Sequence, residues 1–338
     1  MRERLYNFDL LKIIAAILIV FHHYQQLADV SFKWINFYGG LFSFGYLVEL
    51  FFIISGFLAA MTSSHKDGIF KPVCKRIKRI LPMAFLAVLF NCIVFMVYKV
   101  ITGSYMFDTD YSILQILTSL FLVNQGWIVE FFPAVNNPIW YLCVLLWLSI
   151  LYAAICTVVK GNKKIEVLIS FAMICLGILG WKLRINLPFL HLSDFRGYTT
   201  FFMGICLYHV YNMVSRKLCF AIGIGLTLSS VIGMNLLGVN SWYVLVAFLF
   251  PGIVLLAASV PQINKVNISV AGGVSYEVYL WHMPMYCLLK LFIDVIGIEI
   301  SHSYLTMTIF TIFVWGISFY LYQYGEKSID RIIGKIHL

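Results

Sequence analysis

Apolar runs recur along the whole chain, over 9–27, 40–62, 80–99, 138–159, 165–182, 197–213, 218–237, 241–259, 273–296 and 304–325. At 1.5 Å per residue, each is long enough as a helix to cross a hydrocarbon layer of about 30 Å. Hydrophobic residues make up 62% of the 338 positions and charged residues 12%, a balance that no water-soluble core of this size can hide. No soluble domain is left over. The expected fold is therefore all-α: one transmembrane domain over 1–338, a polytopic bundle of about ten spanning helices in contact with the lipid bilayer.

The net charge of +9 does not point to nucleic acid, because the basic residues sit in short loops between apolar runs, as the positive-inside rule requires. An eleventh segment, 111–128, is also apolar, and loop charge decides whether it crosses. If it does not, one side collects 17 Lys and Arg and the other only five, Lys33, Lys99, Lys182, Arg184 and Arg196; if it does, the split is 11 to 11. The rule selects ten crossings, with both termini cytoplasmic and a multi-pass protein of the plasma membrane. Residues 100–137 then form an outer loop whose Asp108, Asp110, Gln115, Asn124, Gln125 and Asn136 suit a re-entrant or interfacial segment near 111–128. Asp9 and Lys12 interrupt the first run and no small-x-small cleavage site follows, so that run is expected to stay attached as the first helix. The eight cysteines show no C-x-x-C pair or ligand spacing and read as small apolar fillers, and no metal is expected.

A charge held at mid-membrane costs about 3 kcal/mol or more, so the few that occur there face a cavity and have a task. Helix one carries Asp9, Lys12, His22 and His23, helix two Glu49, and helix nine Glu277, His282 and Lys290. Lys12 and His23 are eleven residues apart, about three turns, and share one helix face, with His22 about 100° away. His282 and Glu49 are expected to reach a depth similar to that of His23. Histidine suits general-base work, and a buried carboxylate would orient it or hold its charge. An interhelical hydrogen bond is the structural alternative.

Before helix three, Lys66, Lys71, Lys75, Arg76, Lys78 and Arg79 place six positive charges within 14 residues. That is more than orientation requires, although contact with anionic lipid would also use them. Arg76 and Arg79, three apart, share a face at the helix mouth and suit a phosphate-rich donor on the cytoplasmic side.

In this order the residues resemble the acyltransferase family three membrane enzymes, which O-acylate envelope sugars of bacteria. Asn7-Phe8-Asp9-Leu10-Leu11-Lys12 followed by His23 is similar to the family's first-helix pattern, and Leu50-Phe51-Phe52-Ile53-Ile54-Ser55-Gly56-Phe57 to its second-helix box. Arg76-x-x-Arg79-Ile80-x-Pro82 resembles its paired-arginine motif, and Asn137-Pro138-x-Trp140-Tyr141-Leu142 its tryptophan motif. Gly273-x-Ser275-Tyr276-x-x-Tyr279-Leu280-Trp281-His282-x-Pro284 resembles its late box, and Glu326-Lys327 its closing acid.

The resemblance implies transfer of an acyl group, acetyl above others, from cytoplasmic acyl-coenzyme A across the membrane to a hydroxyl of a cell-surface or lipid-linked glycan. His23 would act as general base or transient acyl carrier, with Glu49 and His282 beside it. Lys12, Arg76 and Arg79 would hold the donor, and Asn137, Trp140, Ser275, Tyr276 and Tyr279 the acceptor. Lys12 replaces the family's usual arginine, keeping charge but losing the planar fork. Tyr141 and Leu145 stand where many members have a serine and an acid, which turns attention to Glu49 or Glu130 as the acceptor-side carboxylate. A proton-coupled transporter or flippase of a polar envelope precursor is the reading from another class; it accounts for the buried charges but not for the paired arginines among the other motifs.

Overall fold

The computed structural model describes residues 5–238, 241–262 and 268–325; the Glu326-Lys327 pair lies outside them. Eleven helices follow in order: α1 Tyr6–Ala28, α2 Leu47–Thr62, α3 Phe70–Thr102, α4 Ile113–Leu120, α5 Ile139–Val159, α6 Lys163–Leu183, α7 Leu192–Met213, α8 Arg216–Leu237, α9 Trp242–Ser259, α10 Ser269–Ile296 and α11 Tyr304–Tyr320. No strand occurs among the described residues. Nine of the helices are long and apolar enough to cross a membrane. α7, equally long at 22 residues, is more polar, and its position explains why this is tolerated: Asp194, Thr199, Thr200 and His209 are all buried inside the bundle. The fold is thus a polytopic helical bundle.

Local chemistry sets the helix ends. Ser112, Asn162, Ser215 and Ser303 accept backbone N–H bonds at the starts of α4, α6, α8 and α11. Gly103 and Gly297 close α3 and α10 in left-handed conformations that cost glycine little. α9 passes through a π turn at Leu245–Leu249, just before Pro251. Proline lacks the N–H needed for a regular ladder, and the wider turn accommodates the gap.

The helices that build the interior are α1, α2, α5, α7 and α10, whereas α6 and α8 turn Phe171, Leu179, Leu228 and Ile232 outward. α2 and α7 approach unusually closely because both give up a side chain at the crossing. A Cβ at Gly56 would collide with the backbone carbonyl of Phe201, and one at Gly204 with that of Ile53.

α3 is 33 residues long, about 50 Å, which exceeds a hydrocarbon core by about 20 Å. Its first turns carry the 71–79 basic stretch, so the surplus length has a polar environment to occupy. The side on which α1 starts, α2 ends and α3 starts is called here the N-side.

The segment near 111–128 does not cross. It forms only the eight-residue α4, whose Ile113, Leu114 and Leu117 are exposed. The chain then turns inward, and the inserted portion continues past 128 as far as Pro138. Asn124, Gln125 and Asn136 are buried; Asn136 Nδ2 donates to Leu280 O at 3.1 Å, and Asn91 Nδ2 donates to Val135 O at 3.0 Å. Irregular backbone is stable at such a depth because protein groups take up its hydrogen bonds.

Candidate active site

Two helices bring their histidines face to face. The imidazoles of His23 on α1 and His282 on α10 stack with centroids 5.2 Å apart and planes inclined by 24°. His23 Nδ1 lies 2.9 Å from Gln26 Oε1, and His282 Nδ1 lies 3.1 Å from Val278 O. His282 Nε2 is buried without a hydrogen-bond partner among the described residues. His22, one position from His23 and so on another face of α1, bonds through Nδ1 to Phe37 O at 2.8 Å. It holds the loop between α1 and α2, together with Gln25, whose Oε1 accepts from Phe37 N and Tyr38 N.

A cavity of about 630 Å³ runs in from the N-side between α2, α3, α5 and α10. Its mouth carries Asp67, Lys71 and Lys75, with Arg76 and Arg79 along the same wall. Farther in it is lined by Ile54, Leu58, Leu142 and Leu145, and its inner end is formed by Phe51, Tyr141 and Tyr279. Lining residues from Thr62 back to Phe51 on α2, eleven positions, give a depth of about 16 Å. The Tyr279 ring is 6.1 Å from that of His282, so the cavity ends one aromatic ring from the stacked imidazoles.

Lys12 lines the cavity on the N-side, and its Nζ pairs with Asp9 Oδ1 at 2.7 Å. α10 passes close to this pair at Gly272, where a Cβ would meet the Asp9 side chain. Among the residues expected to hold an acceptor, Ser275, Tyr276 and Tyr279 line this same cavity, as do Arg76 and Arg79. The reason is helical periodicity, which sets residues 272, 275, 276 and 279 on one face of α10. Tyr276 OH donates to Ile80 O and Tyr279 OH to Pro138 O, both at 2.8 Å. These bonds tie α10 to α3 and to the inserted segment. Asn137 Oδ1 is buried with no hydrogen-bond partner among the described residues.

Glu49 has a different partner from the one expected. Both of its oxygens accept from Arg196, at 2.6 Å from Nε and 2.9 Å from Nη2, and Oε1 also accepts from Trp242 Nε1 at 3.0 Å. A carboxylate engaged in this way orients Arg196, not His23. Trp140 packs against the same guanidinium, with its ring centroid 4.4 Å from Cζ. Glu130 is also engaged, accepting from Ser193 Oγ at 2.8 Å and lying 3.2 Å from His191 Nδ1. At the positions of the two departures, Leu145 lines the cavity and the Tyr141 hydroxyl lies 3.1 Å from Ser55 Oγ.

Sequence reasoning counted Arg196 as a loop charge and passed over Gln26. The clue to Arg196 was Glu49 itself, since an acid within an apolar run requires a cation nearby. For Gln26 the clue was its spacing, one helical turn after His23.

A bundle of long apolar helices with a stacked histidine pair inside it, and a cavity with basic residues at its mouth that ends one aromatic ring from that pair, defines a multi-pass membrane protein with a candidate site within the bundle. The model of the acyltransferase 3 family, described as an acyltransferase domain, matches residues 5–323. The chain belongs to that family and is a membrane acyltransferase. No curated protein and no solved structure matches it.

Proposed function

We propose that this acyltransferase takes an acyl group, acetyl first, from acyl-coenzyme A on the cytoplasmic N-side and passes it to a hydroxyl of a cell-surface or lipid-linked glycan presented from the opposite side. The observation that carries the reading is the single cavity joining the Arg76 and Arg79 wall to Tyr279, one ring from His282 and His23. Guanidinium groups form forked hydrogen bonds to phosphate oxygens, and a depth of about 16 Å suits an extended thioester arm. His23 accepts the proton of the glycan hydroxyl as the oxygen attacks the thioester carbonyl. The C–O bond forms, the C–S bond breaks, and the proton passes to the departing thiolate. If His23 carries the acyl group first, the same balance holds over two steps.

Purified protein supplied with labelled acetyl-coenzyme A and candidate glycans tests this. Free coenzyme A released in step with acylated glycan supports it. Movement of a glycan across vesicles with no thioester consumed would replace it with a transport function.

A further inference from the structure

His23, His22 and His282 each place Nδ1 against a carbonyl oxygen, of Gln26, Phe37 and Val278 respectively. A carbonyl oxygen only accepts, so the proton on each neutral ring is on Nδ1 and the lone pair on Nε2. For His22 and His282 the acceptor is backbone and cannot be altered by substitution. For His23 it is a side chain, Gln26, three residues along the same helix.

The geometry points to Gln26 as a positioning residue: it keeps the His23 proton on Nδ1 and so presents Nε2 as the basic nitrogen of the reaction. This rests on the reading of His23 given above. Two features set the contact apart from structural bonding. It joins residues of a single helix, so it holds no helix to another, in contrast to neighbouring Gln25, which is wholly buried and anchors the loop after α1. It also turns the acceptor oxygen toward the nitrogen on which positive charge spreads once Nε2 takes a proton. The titratable groups facing His23 are His22, 5.0 Å away edge-on, and His282, 5.2 Å away in the stack. Each of these rings turns its own Nδ1 to a backbone carbonyl, and the hydrogen-bond partner of His23 Nδ1 among the described residues is Gln26.

The test compares Gln26→Leu with Gln26→Glu in steady-state acyl transfer, using acetyl-coenzyme A as the donor. Loss of one hydrogen bond to the reacting ring predicts a fall in kcat of about tenfold in Gln26→Leu, with donor KM unchanged. Gln26→Glu keeps the acceptor oxygen and restores kcat. It also moves the acid limb of the pH–rate profile to higher pH, because a carboxylate favours the imidazolium, and the base form then persists only at higher pH. An unchanged kcat in Gln26→Leu, or a fall that Gln26→Glu does not repair while both variants elute as folded protein, overturns the assignment. If Gln26→Leu fails to fold, Gln26→Glu alone decides, through the presence or absence of the shifted limb. Absence of transfer by the unaltered protein would instead count against the acyl-coenzyme A reading, so the two failures are distinguishable.

Discussion

Glu49 and Arg196 form a two-pronged ion pair, Nε to Oε1 at 2.6 Å and Nη2 to Oε2 at 2.9 Å, with the glutamate wholly buried and the arginine side chain 20% exposed. The pair joins the start of α2 to the start of α7, while Trp242 brings the start of α9 to the same carboxylate. Removing one partner leaves an uncompensated charge, whereas replacing both with apolar groups of similar size does not. Arg196→Ala should therefore lower stability by about 3–5 kcal/mol, and Arg196→Met combined with Glu49→Leu should recover most of it. Thermal unfolding of the detergent-purified variants measures both.

The stacked histidines make a separate prediction. General-base catalysis contributes about 10²- to 10⁴-fold. His23→Ala should lower acyl transfer at least that far while leaving protein level and donor binding intact. His282→Ala should also impair transfer, because its ring stacks on that of His23 and its buried Nε2 has no hydrogen-bond partner among the described residues. Turnover assays alongside donor titration separate these losses from misfolding.

Arg76 and Arg79 share the cavity wall but not the same exposure, since Arg76 is half-buried and Arg79 is exposed. A charge removed from water is screened less, so Arg76→Ala should weaken acyl-coenzyme A binding by about tenfold and Arg79→Ala by less. The Arg79 contribution should shrink further as salt is raised. Titration of donor affinity at two ionic strengths checks the order.

The membrane class, the ten long helices and the meeting of His23 with His282 were legible because run length, loop charge and rare intramembrane charges each leave a one-dimensional trace. The polar residues Asn124, Gln125 and Asn136 likewise mark the outer segment as unusual in the sequence, and all three are buried in the fold. The partner of Glu49 was not legible. Arg196 precedes the apolar run 197–213, and only the folding of α7 into the bundle turns a boundary residue into a half-buried one paired with Glu49. Of Ser275, Tyr276 and Tyr279 the common face follows from periodicity, but which cavity that face meets depends on the rotation of α10.

Three rings close the inner end of the cavity, and all three touch: Phe51 and Tyr141 at 6.0 Å between centroids, Phe51 and Tyr279 at 5.7 Å, Tyr141 and Tyr279 at 5.5 Å. A thioester arriving along the arginine wall must displace at least one of them. Tyr279 is held by Pro138 O and Tyr141 by Ser55, whereas a phenylalanine side chain has no polar group to hold it. Excluding water from such a site prevents hydrolysis of the activated acyl group. Opening the triangle at Phe51 should thus uncouple the reaction, so that coenzyme A is released without acylated product when no acceptor is supplied. Phe51→Ala carries a packing cost of about 3–5 kcal/mol, so Phe51→Leu serves as the milder companion. A thiol-reactive dye counts released coenzyme A, and mass spectrometry counts acylated glycan. The unaltered protein should keep the two equal, and both variants should show excess thiol; if they remain equal throughout, the rings are not the seal.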